Sequence, residues 1–320
     1  MRDGLNPVRL QLPHGAEAAT VLAYLVARFP ADAGRMREKV AAGEVVDEIG
    51  RSLGPDAPYV GGTLVYLYLD AAPEPRVPFE IDVLHHDDDL LVIDKPHFLA
   101  STPRGAYVVE SAVVRLRRDL GLPEISPAHR LDRITAGVLV LTTRREVRGA
   151  YQQLFASRTI HKTYEAVARV DPRLDLPRTV RSRIVKEHGT LVAEEVPGEP
   201  NAESRVSLAE VAPGAAAGGE ALGRYVLEPH TGKTHQLRLH MASLGLPIVN
   251  DNFYPRFYDV APDDYSAPLQ LLARSISFTD PLSGEPRTFT SRRALDRWPG
   301  TAAWAEGEAG LRGRRPGAPA

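Results

Sequence analysis

Two short, uninterrupted apolar runs constrain the fold of this chain more than any other feature. The runs Leu90 to Ile93 and Val138 to Leu141 are each bounded by polar or turn-forming residues. A short continuous apolar run is typical of a strand that is buried on both faces, whereas a strand with one solvent-exposed face would alternate. The sequence therefore predicts two buried strands inside a sheet.

The other elements follow one another without a regular order. Apolar residues recur at helical or strand spacing in seven further segments. We predict helices at 17–29, 33–42, 108–120 and 146–157, and strands at 45–46, 64–69 and 161–170. A parallel doubly wound fold would alternate strand and helix regularly, which this chain does not do. The predicted fold class is therefore α+β.

A proline-rich stretch, AAPEPRVP at 71–78, is predicted to divide the chain into domains. Its alternating prolines disfavour a helix and favour an extended linker. Residues 1–70 are therefore predicted to form a small N-terminal α+β module, and residues 79–295 the main domain. Residues 296–320 contain few apolar side chains and are predicted to be a flexible C-terminal tail. A glycine and alanine rich stretch at 213–223 is predicted to be a flexible hairpin loop.

Composition excludes several kinds of protein. The chain contains no cysteine, which excludes disulfides, thiolate nucleophiles and cysteine-ligated zinc. No apolar run approaches the length that crosses a bilayer, and the first residues have no apolar signal-peptide core. We therefore expect a cytoplasmic protein that does not contact a membrane.

The distribution of charge leaves the question of a nucleic-acid partner open. The formal net charge of -2 argues against RNA binding, which usually needs a basic surface. Between Arg104 and His188, however, 17 lysines and arginines face only 9 aspartates and glutamates. This local surplus fits either an RNA-binding surface or an ordinary solvated surface of mixed charge.

The densest group of polar side chains lies in PAHRLDRITAGVLVLT, residues 127–142, directly before a predicted buried strand. A loop in this position presents its side chains at the edge of a rigid scaffold. Asp132 stands between two arginines, and nearby positive charge favours the ionised carboxylate. That state suits a nucleophile or an electrostatic stabiliser. A surface cluster of ion pairs that caps the strand is the alternative.

One motif suggests nucleotide hydrolysis but fails on spacing. HTGKT at 230–234 resembles the end of a phosphate-binding P-loop. That motif requires a glycine five residues before Gly232, and the chain has Leu227 at this position. We therefore reject nucleotide hydrolysis.

Two groups of histidines suggest a metal-dependent hydrolase. In the run at 85–89, consecutive side chains point in different directions, so a polar turn is expected instead of a metal site. His230, His235 and His240 lie five residues apart, a spacing that aligns them neither on a strand nor on a helix. We expect no metal site.

Three motifs in order resemble those of the RluA-type pseudouridine synthases. HRLDRITAG at 129–137 resembles the signature HRLDxxTSG, and HKTYEA at 161–166 resembles the motif K-x-Y-x-A. GKTHQLRLHMASLGLPIVNDNFY at 232–254 resembles the third motif, and DDDLLVIDKP at 87–96 resembles the first strand. The resemblance covers roughly residues 79–291. It implies a mixed, mainly antiparallel central sheet flanked by helices.

The resemblance also implies roles for single residues in the isomerisation of uridine to pseudouridine in RNA. Asp132 takes the place of the catalytic carboxylate, and Arg238 is expected to pair with it through a bidentate guanidinium. Tyr164 is expected to stack on the target base, and Arg130 to fill the space that a flipped-out uridine leaves. Further RNA contacts are expected from the other polar residues of the three motifs, namely His129, Arg133, Thr135, Lys162, Lys233, His235 and Gln236.

Some positions depart from the family pattern. Ala136 replaces the usual serine, Asn250 replaces a glycine before an aspartate, and Leu272 replaces a histidine. The N-terminal module has the size of the small RNA-binding domain that many of these enzymes carry. It has AATVLAYL at 18–25 where a basic start is usual, so we interpret it as a degenerate RNA-binding domain.

The resemblance implies a monomeric enzyme that acts on specific uridines of structured ribosomal or transfer RNA without a cofactor or a metal. The alternative is a non-catalytic RNA-binding or ribosome-assembly protein on the same fold, which the degenerate N-terminal module and the modest overall charge suggest. Both hypotheses predict an RNA partner, and only the first predicts a modified base.

Overall fold

The computed structural model of the chain describes residues 3–68, 70, 73–212 and 221–298. The chain divides into two compact units, residues 1–74 with 117–123 and residues 75–116 with 124–320. The first division falls within the predicted linker at 71–78, while the segment 117–123 joins the first unit instead of the predicted main domain. Most of the predicted hairpin loop and of the predicted tail lies outside the described residues.

The first unit contains a three-stranded sheet and two helices. Its strands are β1 (Val8–Gln11), β2 (Val45–Val46) and β3 (Leu64–Leu67), and its helices are α1 (Val21–Arg28) and α2 (Ala33–Ala41). The strands pair antiparallel in the order β1-β3-β2. Apolar side chains from both helices and all three strands form a core of their own. Sequence patterning predicted α1, α2, β2 and β3 but not β1.

Helix α1 begins four residues later than its predicted start at Glu17. Thr20 has an extended backbone, and its hydroxyl accepts a hydrogen bond from the Ala23 amide at 3.1 Å. This is the geometry of an N-cap, which supplies a partner for an amide that the first turn leaves unpaired. The apolar pattern extends beyond the cap, so periodicity alone placed the start of the helix too early.

The second unit is built on one large sheet. The remaining strands and helices, in chain order, are β4 (Asp82–His86), β5 (Leu90–Lys95), α3 (Ala112–Leu120), β6 (Ser126–Pro127), β7 (Ala136–Thr142), α4 (Arg148–Ser157), β8 (His161–Arg169), β9 (Arg178–Val185), β10 (Glu194–Val196), β11 (Ala202–Val211), β12 (Leu222–Pro229), α5 (Gln236–Ser243), β13 (Leu271–Thr279) and β14 (Pro286–Thr290). The last residues of α3, from 117 onward, are counted with the first unit. The order is β10-β9-β11-β12-β8-β13-β7-β5-β4, with β14 paired to β13 and β6 to β7.

The predicted α+β class and mainly antiparallel sheet are confirmed. Of the strand pairs that the described residues form in this sheet, only β13 and β7 run parallel, and the rest are antiparallel. Every residue of β5 and β7 is buried, as the two apolar runs predicted. Strand β5 continues through Asp94 and Lys95, because the Asp94 carboxylate accepts hydrogen bonds from Ser291 Oγ and the Arg292 amide. These partners allow polar residues inside a buried strand.

Gly137 allows the parallel pairing of β7 with β13. It pairs with Ala273, and its φ of +112° lies in a region that side-chain-bearing residues rarely adopt. A Cβ atom at this position would lie 2.7 Å from the Ala273 nitrogen and closer still to the Ala273 carbonyl oxygen. The glycine therefore permits a backbone approach that fixes the start of β7, and the loop that carries Asp132 ends at this point.

Candidate active site

The loop between β6 and β7, residues 128–135, is held from below by buried polar groups. Ser101 Oγ donates to the Leu131 carbonyl at 2.7 Å and accepts from the Leu131 amide at 3.1 Å. Lys95 is fully buried, and its Nζ lies within hydrogen-bonding distance of the carbonyl oxygens of Pro96, Leu99 and Arg133, at 2.8 to 3.2 Å. The backbone on both sides of Asp132 is thereby anchored to the sheet.

The Asp132 side chain is 31% exposed and faces a pocket. Its Oδ2 lies 3.6 Å from Arg238 Nη1, and its Oδ1 lies 3.9 Å from His235 Nε2. Both distances exceed a good hydrogen bond, and the distance to the Arg238 guanidinium allows electrostatic attraction. The carboxylate is therefore oriented by positive charge while its lone pairs stay available for chemistry.

Arg238 makes its bidentate contact with another carboxylate. Its Nε donates to Asp251 Oδ2 at 2.8 Å and its Nη2 to Asp251 Oδ1 at 2.6 Å, with both side chains buried. Burial would lower the pKa of Arg238, but the hydrogen bonds to Asp251 and the charges of Asp251 and Asp132 raise it. The expected bidentate pairing with Asp132 is thus corrected. Two guanidinium donors point to Asp251, and Nη1 remains for Asp132.

His235 is a neutral neighbour of Asp132. Burial lowers the pKa of this histidine to about 4, although the charge of Asp132 acts in the opposite direction. Its Nδ1 is hydrogen-bonded to the Tyr254 hydroxyl at 2.9 Å, and its backbone has a φ of 56° directly before α5. The ring therefore contributes shape to the pocket and no positive charge at neutral pH.

Tyr164 lies on β8 and lines the same pocket. It packs against the apolar cluster that includes Ala166, Leu227 and Leu271. Burial raises the pKa of Tyr164, and the charge of Asp132 raises it further. The phenol is therefore protonated at neutral pH, and it packs against the core while lining the pocket of Asp132.

The residues predicted to contact RNA fall into two groups. Arg130 and Lys233 are exposed at the pocket, where a phosphate could reach them. Lys162 is half-buried and donates to the Thr231 carbonyl at 3.3 Å. Arg133 lies over the Tyr107 ring, with the guanidinium carbon 4.6 Å from the ring centre. These four cations line the pocket from different sides.

The other group is engaged inside the fold. In the Gln236 side chain, Nε2 donates to the Glu203 carbonyl and Ser204 Oγ, and Oε1 accepts from Thr231 Oγ1 and the Lys233 backbone amide. All four of its hydrogen-bonding positions are therefore occupied, and the side chain is buried. We reassign Gln236 from RNA binding to positioning the turn before α5.

His129 and Thr135 also have structural contacts. His129 Nε2 accepts from the Val140 amide at 3.2 Å, and its ring stacks on Phe155 at 4.5 Å. Burial lowers the pKa of His129 to about 3, so it carries no charge for a phosphate. Thr135 is buried, and its amide donates to the Asp132 carbonyl at 3.1 Å. Both residues shape the loop that carries the carboxylate.

The pocket in front of Asp132 is large and cationic. Its volume is about 1050 Å³, at the upper end of the range for small-ligand sites. Eight lysine and arginine side chains line it, against the two carboxylates of Asp132 and Asp259. The positive surplus that the sequence suggested is thus gathered around the candidate carboxylate, despite the net charge of -2.

Sequence reasoning missed three residues of this site. Asp251 belongs to the third motif, and its place next to Asn250 could have drawn attention to it. Asn250 itself has a φ of 62°, a conformation that asparagine tolerates better than most residues, so it can replace the usual glycine. Lys95 stands in the segment 87–96 that resembles the first strand of the family. Lys186, on the connection from β9 to β10, lines the pocket and has no motif to mark it.

Among the described residues, no helix is long and apolar enough to cross a membrane. In the same part of the chain, no group of three or more histidines, aspartates or glutamates is placed to hold a metal ion. His85, one of the residues considered for a metal, contacts Asp87 Oδ2 through its Nε2 at 2.7 Å in the turn after β4.

The fold is shared with solved structures of pseudouridylate synthases. The human RNA pseudouridylate synthase domain containing 1 superposes with a TM-score of 0.53 at 20% sequence identity, over 76% of this chain and 98% of that one. The human RNA pseudouridylate synthase domain containing 4 superposes with a TM-score of 0.50 at 23% sequence identity, over 74% of this chain and 95% of that one. The large sheet around the candidate site therefore has the fold of the pseudouridylate synthases.

Sequence comparison specifies the family. A sequence profile described as RNA pseudouridylate synthase matches residues 89–243. The dual-specificity RNA pseudouridine synthase RluA of Salmonella typhi is 32% identical over 67% of this chain and 94% of its own length. An RNA pseudouridine synthase of Synechocystis is 27% identical over 68% and 73%. The chain belongs to the RluA-type RNA pseudouridine synthases, which convert uridine to pseudouridine in RNA.

Proposed function

We propose that Asp132 is the catalytic carboxylate of this isomerase. The carrying observation is its position in a cation-lined pocket, 3.6 Å from Arg238 Nη1 and close enough to Tyr164 to affect the pKa of the phenol. A carboxylate with one long ionic contact keeps its lone pairs accessible. A surface ion pair would instead hold both oxygens in direct hydrogen bonds.

The reaction moves the uracil ring from one attachment atom to another. The bond from the ribose C1′ to N1 of the base breaks, the base turns, and a bond from C1′ to C5 forms. The proton on C5 is released and N1 gains a proton, so the reaction consumes nothing. Asp132 can act as a nucleophile at C1′ or as a base in an elimination, and both routes fit its exposure.

Arg238 and Tyr164 assist Asp132 in different ways. Arg238 is fixed by Asp251, so its Nη1 holds the carboxylate at a constant place without a cost of reorganisation in the transition state. Tyr164 offers a ring against which the target base can stack, and its raised pKa keeps the hydroxyl protonated at neutral pH. The phenol can therefore donate a hydrogen bond to the base.

The substrate that we propose is a uridine in structured ribosomal or transfer RNA, bound by a monomer without metal or cofactor. Arg130 and Lys233, both exposed at the pocket, would supply cations for the phosphates. We also assign to Arg130 the role of filling the stack after base flipping, which its planar guanidinium suits. The proposal also includes a cytoplasmic location and residues 1–70 as a separate module, a degenerate form of an RNA-binding domain.

The experiment compares Asp132→Asn with Asp259→Asn, because both carboxylates line the pocket. The substrate is RNA labelled with tritium at C5 of uridine, isolated from cells that lack the gene. Asp132→Asn should abolish tritium release, while Asp259→Asn should retain it. Circular dichroism of both variants should match that of the original protein.

The competing hypothesis is a non-catalytic RNA-binding protein on the same fold. It predicts that the original protein binds RNA with an affinity that falls steeply with salt, yet releases no tritium. Tritium release that survives in Asp132→Asn would contradict our assignment of the carboxylate, even if the enzyme is an isomerase.

A further inference from the structure

A rigid loop at the rim of the pocket presents an aromatic side chain to solvent. Asp251 Oδ1 accepts hydrogen bonds from the amides of Phe253 and Tyr254 at 2.8 and 3.1 Å. The Tyr258 amide donates to the Asn252 carbonyl at 2.9 Å and closes the loop. The same carboxylate that orients Arg238 thus fixes the start of a loop that carries Phe257, which is 46% exposed and lines the pocket.

Aromatic rings connect the candidate carboxylate with this rim. The ring centres of His235 and Phe253 are 5.3 Å apart, and those of Phe253 and Phe257 are 5.6 Å apart. The guanidinium of Arg238 lies 4.7 Å from the centre of the Phe253 ring. His235 is itself 3.9 Å from Asp132. The rings therefore form a continuous series from the reaction centre to the mouth of the pocket.

The surroundings of Phe257 favour a nucleic-acid base as its partner. Single exposed apolar residues are common and need no explanation. Phe257, however, lies in a pocket that also contains Arg104, Arg130 and Lys186. Cations for the backbone combined with an exposed ring for a base are the means by which proteins bind single-stranded nucleic acid. The volume of about 1050 Å³ also leaves room for more than the target base.

We propose that Phe257 forms a second base-binding subsite, where it stacks on the base of a nucleotide next to the target uridine. The inference rests on the proposed function in one respect, that the pocket receives a flipped uridine at Asp132. The subsite accepts purines and pyrimidines, because every base has a face for stacking. It selects for an unpaired neighbour, since a base held in a duplex cannot reach the ring.

The test measures stacking directly in the Asp132→Asn background, in which the RNA is not converted. The probe is a short single-stranded RNA with one central uridine flanked by adenosines, and 2-aminopurine replaces each neighbouring base in turn. Binding should quench the fluorescence of 2-aminopurine at one neighbouring position. Phe257→Ala should abolish this quenching and weaken binding about 5- to 100-fold, while Phe257→Tyr should preserve both.

The matched control is Tyr258→Ala. Tyr258 is a neighbouring aromatic residue of the same loop and is 50% exposed, but it does not line the pocket. We expect the affinity and the quenching to be unchanged in this variant. A further RNA has an abasic site at the position where quenching was seen. It should bind the protein that retains Phe257 and the Phe257→Ala variant with equal affinity, because the base that would stack is absent.

Several outcomes would overturn the subsite. Quenching that persists in Phe257→Ala, or an equal loss of affinity in Tyr258→Ala, would show that the ring does not hold the base. A defect of Phe257→Ala that is equally large on the abasic RNA would have the same meaning. If Phe257→Ala left RNA affinity unchanged but altered the oligomeric state, as measured by light scattering, Phe257 would be assigned to a protein interface. None of these outcomes bears on whether Asp132 catalyses the reaction.

Discussion

Asp251 determines where the Arg238 guanidinium points. It takes two donors of the guanidinium and, through the same side chain, the amides of Phe253 and Tyr254. Because both partners are buried, the pair has no competing water and a defined geometry. One buried carboxylate, which does not line the pocket, therefore positions the arginine of the site and the loop at its rim.

We predict that Asp251→Asn removes activity and stability together. Removing one partner of a buried ion pair leaves the other charge uncompensated and typically costs about 3 to 5 kcal/mol. The free energy of unfolding, measured with urea, should fall by an amount of this size, and kcat should fall because Arg238 loses its orientation.

The control for this prediction is an exposed ion pair of the same residue types. Arg173 Nη2 lies 2.9 Å from Asp171, with the arginine side chain 88% exposed. Arg173→Gln should leave both the urea midpoint and kcat close to those of the original protein. A normal stability of Asp251→Asn would mean that Arg238 finds another anion, and the orienting role of Asp251 would be lost.

At the scale of single residues, the sequence predicted the candidate catalytic residues better than the residues that hold or surround them. Asp132, Tyr164 and Arg238 are identifiable because each stands in a motif, and the structure places all three at one pocket. The role of Lys95 depends on the distances between three carbonyl groups, which no local pattern records. Lys186 reaches the pocket from a connection far along the chain, so its role depends on the path of the sheet.

Helix α5 illustrates why some elements escaped sequence patterning. Its residues Gln236 to Met241 are all buried, including the polar Gln236, Arg238 and His240. A helix that buries polar side chains has no apolar stripe of helical period, which is the signal that patterning detects. Its burial is possible because Asp251, Ser182 and the backbone supply partners.

Strand β9 was missed by sequence patterning because it is exposed, whereas α5 was missed because it is buried. Strand β9 is mostly exposed and has four arginines or serines among its residues 178–185, so its apolar content is low. It pairs with β11 and β10, and backbone hydrogen bonds hold it in the sheet. The strands β5 and β7 were predicted because they are buried on both faces, where only apolar runs are common.

At the scale of elements, Gly137 connects sheet geometry with the loop that carries Asp132. We predict that Gly137→Ala lowers the free energy of unfolding by at least about 2 kcal/mol, because the left-handed backbone alone costs about 1 to 2 kcal/mol and the Cβ would also meet the Ala273 backbone. Activity should fall as well, because the backbone must move to relieve this contact and would displace the loop that precedes β7. Thermal unfolding and tritium release provide the two measurements.

Gly149 is the matched glycine for this test. It lies in the first turn of α4, and a Cβ there would meet no atom within 4 Å. Gly149→Ala should stabilise the protein by about 0.5 to 1 kcal/mol, because alanine loses less backbone entropy in a helix. Equal effects of the two substitutions would indicate that the contact between β7 and β13 does not constrain the site.

At the scale of the whole molecule, charge is distributed unevenly. The net charge is -2, yet the pocket carries a clear cationic surplus. We predict that RNA affinity falls steeply with salt, and that Lys186→Gln reduces the slope of log affinity against log salt by about 0.7 to 1. Arg205→Gln, at an exposed arginine paired with Glu228 and outside the pocket, should leave the slope unchanged. Equal slopes for Lys186→Gln and the original protein would exclude a phosphate contact at this lysine.

Four histidines make the protein sensitive to acid. Burial lowers their pKa values to about 4 for His97, His235 and His240 and to about 3 for His129. The unfolded chain, with a histidine pKa near 6.5, binds more protons in the window between these values. Stability is therefore complete above about pH 6.5 and is lost as the pH falls toward about 4.

The acid sensitivity can be measured by urea unfolding at about pH 7 and about pH 5. We expect each of these histidines to contribute about 1 to 2 kcal/mol to the loss of unfolding free energy. His240→Gln removes one titrating group and should reduce the pH dependence by one proton. An unchanged pH dependence in this variant would show that His240 is protonated in the folded protein.

The parallel pairing of β7 with β13 also has a consequence for the order in which the molecule assembles. It joins strands that are separated by more than a hundred residues, whereas β4 and β5, like β11 and β12, pair across short connections. Distant pairings pay a larger loop-closure entropy and form slowly. The loop that carries Asp132 ends at β7, so during refolding its final conformation must await this late closure. Tritium release should then recover after the secondary structure has already returned.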